Sequence, residues 1–221
     1  MQAHRRAGPA TGGRTIGWPR AYDVLSWLVL GGRARRVRAQ LVGLADIHPG
    51  DAVLDVGCGT GALALVAARQ VGANGHVAAL DASPSMIEAV RRKAVRRDLR
   101  VEARVGVAER LPYDIASFTG VMCALVIHHL PVGLRPVAFA EMARVLRPDG
   151  RLVVADISPP AHGRLAAVVR RLAGRHASGT DEQRLRALAE EAGYVDVETG
   201  RTVHPWLGYV RARKPRLGQV T

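Results

Sequence analysis

Cysteine is scarce: Cys58 and Cys123 are the only two in 221 residues. That is too few for a disulfide framework, and no Cys/His cluster has metal-ligand spacing, so no metal is expected. Aromatic residues make up 4% of the chain. Lysine occurs only at Lys93 and Lys214, so 30 of the 32 basic residues are arginine. No apolar run is long enough to span a bilayer. The longest, Val24 to Leu30, is broken by Ser26 and falls far short of the roughly 20 residues a spanning helix needs. Arg5-Arg6 leads into Gly, Pro and Thr instead of an apolar stretch, so no export signal is expected and the cytoplasm is the expected location. No internal repeat is found.

What is present bounds the answer further. A hydrophobic content of 48% excludes a disordered chain, and the length suits one substantial domain. The net charge of +13 has two readings. Arginines spread along the chain fit an ordinary solvated surface, and a positive field would also attract nucleic acid, anionic membranes or acidic substrates. The first reading is favoured, and nucleic acid is not the expected partner. Strand-like and helix-like stretches alternate, which points to an α/β fold.

The most informative stretch is Val53-Leu54-Asp55-Val56-Gly57-Cys58-Gly59-Thr60-Gly61. An apolar run suited to a central parallel strand enters a turn with glycine at alternate positions, and a helix is expected from Ala62. Glycines allow a ligand to approach the backbone closely. Asp55 lies at the carboxyl end of that strand, where open α/β sheets bind ligands. The spacing is G-x-G-x-G, so it matches neither the dinucleotide fingerprint nor a phosphate-binding P-loop. A second strand, His76 to Leu80, leads into Asp81, an acid placed to accept hydrogen bonds from both hydroxyls of a ribose. Ser83-Pro84 then starts a helix with proline at its first position.

These residues resemble motif I and the acidic strand end of the class I S-adenosylmethionine (SAM) dependent methyltransferases. Further segments resemble the same family: Gly106-Val107-Ala108-Glu109-Arg110-Leu111-Pro112-Tyr113, then Arg144-Val145-Leu146-Arg147-Pro148-Asp149-Gly150, then Ala192-Gly193-Tyr194. The likeness covers roughly residues 20–213 and is nearest to the ubiquinone/menaquinone biosynthesis methyltransferase group. It implies a Rossmann-like, doubly wound, seven-stranded and mostly parallel sheet with an antiparallel last strand. It also implies one domain over residues 16–213 with an N-terminal helical lid, between a mobile arm (1–15) and a tail (214–221).

The resemblance implies SAM as cofactor and S-adenosylhomocysteine as product. It places the Gly57-Cys58-Gly59 tripeptide against the methionine part, Asp81 at the ribose and Met86 near the adenine. It counts Asp55, Gly61, Ala82, Val107, Ala108 and Ala124 among the cofactor-binding residues. Ala124 and His128 then lie at the strand end facing the methyl group and the acceptor. Val107 stands where the family usually has an acid holding the adenine amino group, so only backbone groups around Val107 and Ala108 could read the ring. The acceptor implied is a small or lipid-like organic molecule. A base is needed only where that acceptor must lose a proton. His128 and His129 are the best candidates because histidine titrates near neutrality, and Tyr22 is another, because the family's N-terminal helix folds over the cofactor. Residues 157–180 hold no acid, and Leu165, Val168, Val169 and Leu172 would form one stripe of a helix bordered by arginines. That pattern suits either a helix covering the sheet or a basic lid at an anionic membrane. Two other functions stay open: methylation of RNA, and SAM binding without turnover.

Overall fold

The computed structural model describes residues 32–158, 181–216 and 218. Helix α1 (Ala34–Leu44) leads into β1 (Ala52–Val56), followed by α2 (Ala64–Val71), β2 (His76–Asp81), α3 (Pro84–Val95) and β3 (Glu102–Val105). Next come β4 (Phe118–Ala124), α4 (Arg135–Val145) and β5 (Leu146–Ile157), and finally α5 (Glu182–Glu191), β6 (Val195–Arg201) and β7 (Leu207–Arg213). No helix among the described residues is long and apolar enough to cross a membrane.

All seven strands join one sheet in the order β3-β2-β1-β4-β5-β7-β6. Strand β1 pairs in parallel with both β2 and β4, and β7 runs antiparallel to both β5 and β6. The expected Rossmann-like sheet with an antiparallel last strand is the one the chain adopts. From β1 the chain winds outward through β2 and β3, then crosses to β4 on the other side. That reversal opens a crevice at the carboxyl ends of β1 and β4.

Side chains alternate across the sheet. Leu54 and Val56 point into a core built with Phe139 and Met142 of α4 and Leu185 of α5. Val53 points into the opposite core, built with Val37 and Leu41 of α1, Ala67 of α2 and Val90 of α3. Asp55 has the parity of Val53, so the carboxylate is directed toward the layer of α1, α2 and α3. Helix starts follow local chemistry. Pro84 opens α3, and the Asp181 carboxylate accepts the Arg184 N–H at 2.9 Å to cap α5.

Three boundaries differ from expectation. The helix expected from Ala62 begins at Ala64, because Gly61 has φ +78° and ends the turn outside helical space. The fourth strand, expected to run on to Ile127, ends at Ala124, because Leu125 takes a left-handed conformation (φ 61°) and Ile127–His129 form a 3-10 turn. Pro148-Asp149-Gly150, expected as a turn before the fifth strand, lies inside β5. Asp149 has φ 66° there, and the pairing with β4 shifts register between Phe118 and Gly120. The expected helices before Gly31 and over residues 162–175 lie outside the described residues, as does the expected arm.

Candidate functional site

The glycine turn follows β1 directly. Gly57, Gly59 and Gly61 have φ of 68°, 52° and 78°, a region other residues avoid. A Cβ at Gly57 would strike the Val126 side chain, and one at Gly61 would lie 2.9 Å from both Val90 methyl groups. Both glycines are therefore required by space as well as by conformation. Two carboxylates hold the turn. Asp55, 1% exposed, accepts the Ala64 N–H at 2.9 Å. Burial pushes its pKa up to about 7 against the pull of that hydrogen bond, and the charge of Asp81 adds to the rise. Asp81 accepts the Gly59 N–H at 2.9 Å through one oxygen and the Ser83 N–H at 2.8 Å through the other. Burial raises its pKa too, opposed by those two hydrogen bonds. Each Asp81 oxygen keeps lone-pair capacity for another donor.

Beside the turn lies a small cavity of about 70 Å3, lined by Asp55, Gly57, Cys58 and Ala124, with Arg38 and Leu41 of α1 above them. Leu125 and Ala155 also line it. The structure thus brings together Asp55, Gly57 and Ala124, and ties Gly59 to Asp81. Ala82 is half-buried between Asp81 and the start of α3. Met86, Val107 and Ala108 are buried and do not line this cavity. The segment after β3 is pinned from behind. Glu141 of α4 accepts the Leu111 N–H at 2.8 Å, and the Arg144 side chain reaches Glu141 at 2.7 Å and the carbonyls of Leu111 and Tyr113 at 2.9 and 2.8 Å.

His128 sits on the 3-10 turn after β4, at the same edge of the sheet. Its Nδ1 lies 2.5 Å from Oδ1 of Asp156, and its backbone N–H donates to Oδ2 of the same residue at 2.9 Å. Asp156 is fully buried on β5 and accepts a third hydrogen bond from the Ile157 N–H at 2.7 Å. A carboxylate can only accept here, so the proton belongs on Nδ1 of His128 and the lone pair on Nε2. The His128 side chain is 26% exposed. The arrangement is a buried acid fixing the tautomer and direction of a partly open imidazole, able to take a proton from a bound molecule.

Sequence reasoning missed Asp156 as a functional residue, seeing only the end of a strand. The available signal was that β4 and β5 are neighbours, so a histidine after one and an acid at the tip of the other must meet. Arg38 and Leu125 gave no signal. The two thiols are both buried, and burial raises the pKa of each well above the usual thiol range, so neither is a reactive cysteine.

Comparison with known proteins agrees with this geometry. A protein family described as a methyltransferase domain matches residues 53–150. The arsenite methyltransferase of Halobacterium salinarum is 34% identical over 157 residues, 70% of this chain and 40% of that protein. The ubiquinone/menaquinone biosynthesis C-methyltransferase UbiE of Bordetella parapertussis is 37% identical over 137 residues, 62% of this chain and 52% of that protein. The chain thus spans about half the length of the curated relatives it matches. Among solved structures, a SAM dependent methyltransferase from Aquifex aeolicus superposes with a TM-score of 0.72 at 20% identity, covering 90% of this chain and all of that one. Glycine turn, acidic strand ends, sheet order and these matches together identify residues 53–150 as a methyltransferase domain, on the fold seen in SAM-dependent methyltransferases.

Proposed function

We propose that the chain transfers the methyl group of SAM to a small or lipid-like organic acceptor. The observation that carries this reading is the glycine turn at the end of β1, hydrogen-bonded to Asp81 at the end of β2 and open to a cavity. The residues present fit the cofactor. The space a Cβ would fill at Gly57 and Gly61 is already taken by valines, so the turn must present bare backbone. Asp55 suits the ammonium of the methionine part, and Asp81 the ribose hydroxyls. Ala82 and Met86 would flank the nucleoside, and the backbone of Val107 and Ala108 would border the adenine. When bound, SAM supplies a sulfonium-activated methyl group. The chain's own task is to orient the acceptor and keep water away, effects of the kind that can contribute on the order of 7–11 kcal/mol.

In this reading Nε2 of His128 takes the acceptor's proton, with Asp156 as the residue that positions the ring. That favours an acceptor whose oxygen or activated carbon carries an acidic hydrogen. Relatives named for quinone biosynthesis support a lipid-like organic acceptor. An arsenite-type acceptor is disfavoured, because a soft, thiol-seeking centre needs accessible cysteines. Here Cys58 and Cys123 are buried and belong to cores on opposite faces of the sheet.

The first test is thermal unfolding with and without S-adenosylhomocysteine, with NAD as control. Ligand at a hundred times its dissociation constant adds about 2.7 kcal/mol, a rise of roughly 5–10 °C at this size. Asp81→Ala is expected to weaken binding at least tenfold, and no rise with the wild-type protein would sink the cofactor assignment. The dyad has its own test. Asp156→Asn offers an amide N–H to Nδ1 and moves the ring proton to Nε2. It is expected to lower kcat by about 10²–10⁴-fold with S-adenosylhomocysteine affinity unchanged. Retained kcat would remove His128 as a base, and stabilisation by ligand without turnover on quinone, lipid or RNA acceptors would leave a binding module.

A further inference from the structure

A second opening lies between the three helices of one sheet face. Arg35 and Arg38 of α1, Arg69 of α2, Lys93 of α3 and Arg97 just after α3 surround a groove of about 580 Å3. Among the described residues no carboxylate lines it, and Ala62 and Val66 form part of an apolar floor. The cations come from three separate segments, and Arg35 and Arg38, three apart on α1, share one helical face. The groove is therefore a product of the fold and not of a single basic run.

Several arginines elsewhere are paired with acids. Arg144 meets Glu141 at 2.7 Å, Arg151 meets Asp51 at 2.6 Å, Arg186 meets Glu190 at 2.8 Å and Arg211 meets Glu198 at 2.7 Å. Arg35, Arg69 and Arg97 have no carboxylate partner among the described residues. The rest of the chain has little to offer them: residues 1–31 hold one acid, Asp23, and residues 159–180 hold none. Like charges gathered in one groove repel, and an entering anion relieves that repulsion.

We propose that this groove docks the chain on the headgroup phosphates of an anionic phospholipid bilayer. Among the described residues no aromatic side chain lines the groove, so these offer nucleic-acid bases no stacking platform. Cations spread along its length suit a surface of many phosphates better than a single one. Arg38 and Ala62 line both this groove and the cavity at the glycine turn, so the docked face adjoins that cavity. The inference goes beyond methyl transfer and does not depend on it, because its readout is attachment to vesicles.

The experiment is flotation of the full chain with vesicles of equal parts phosphatidylglycerol and phosphatidylcholine, and with phosphatidylcholine alone, at low and physiological salt. The wild-type protein is expected to float with the mixed vesicles only, and less so as salt rises. Each basic residue near such a surface is worth about fivefold in partitioning. Combining Arg35→Gln, Arg69→Gln and Arg97→Gln should therefore lower attachment on the order of a hundredfold, and Arg69→Gln alone about fivefold. A control combining Arg100→Gln, Arg147→Gln and Arg184→Gln makes the same change in net charge and should lose less than about fivefold. Unfolding temperature and the response to S-adenosylhomocysteine, followed for every variant, separate loss of fold or of the cofactor site from loss of docking. Equal losses in both triples would reduce the effect to net charge and overturn the proposal. So would equal binding to phosphatidylcholine alone, release of vesicles by low-millimolar inorganic phosphate, or tighter groove-dependent binding of a single-stranded RNA oligomer.

Discussion

Asp55 shares a face of β1 with Val53, so its carboxylate enters the layer of α1, α2 and α3 instead of water. One backbone N–H, from Ala64, is the hydrogen bond it receives there. That does not offset the desolvation of a full charge, and its pKa rises from 3.8 to about 7. The sign of the consequence follows from proton counting. Below 3.8 the acid is protonated in both folded and unfolded chains and costs nothing extra. As pH rises from 3.8 toward about 7, the unfolded chain releases the proton first, so stability falls across that interval and then levels off. The interval is worth roughly 4 kcal/mol as an order of magnitude. Asp55→Asn keeps an acceptor for Ala64 and removes the titration. The difference in unfolding free energy between variant and wild type should grow in the variant's favour from pH 4.5 to pH 7.5. Urea unfolding at several pH values measures it, and a difference that does not change with pH would show that Asp55 is not the buried acid described. An acid held at such expense, facing a cavity, is expected where a cation is to be bound.

At the scale of elements, the chain could be read wherever a local rule decides the outcome. The Ser83-Pro84 start of α3, the Asp181 cap of α5 and the parallel strand before the glycine turn all follow from a few adjacent residues, and all are present. Asp81 was legible for the same reason, because its distance from the glycine turn is a property of one β-α-β unit. Boundaries failed where tertiary structure overrides local preference. Leu125 reads as part of an apolar strand, yet its backbone turns left-handed, its N–H bonded to the Ala155 carbonyl at 2.8 Å. Pro148-Asp149-Gly150 reads as a free turn, yet Asp149 is gripped by Arg213 and, at 3.0 Å, by Arg216 from the far end of the chain. The His128–Asp156 pair and the five-cation groove share that character. The pair joins residues 28 positions apart through strand order, and the groove gathers residues from Arg35 to Arg97 through helix packing, so no short window of sequence contains either.

The whole molecule is two cores back to back on one sheet. Leu54 of β1 belongs to the core under α4 and α5, and Met122 of β4 to the core under α1, α2 and α3; both are fully buried. Strands β1 and β4 are paired neighbours and contribute to both cores, so neither face can be lost without stripping the backing from the other. At this length partly folded states are common in general, but shared strands argue for a single cooperative transition here. Leu54→Ala and Met122→Ala are each expected to cost about 2–5 kcal/mol, and to move the same urea midpoint without changing the slope. A biphasic curve in which each substitution shifted a different limb would overturn the shared-core account. The same coupling bears on the site, because the cavity takes Asp55 from β1 and Ala124 from β4. A ligand bound there rests on both strands, so S-adenosylhomocysteine should raise the whole transition as one unit in wild type and in both core variants. Stabilisation confined to part of the transition would mean that the cavity is held by one face alone.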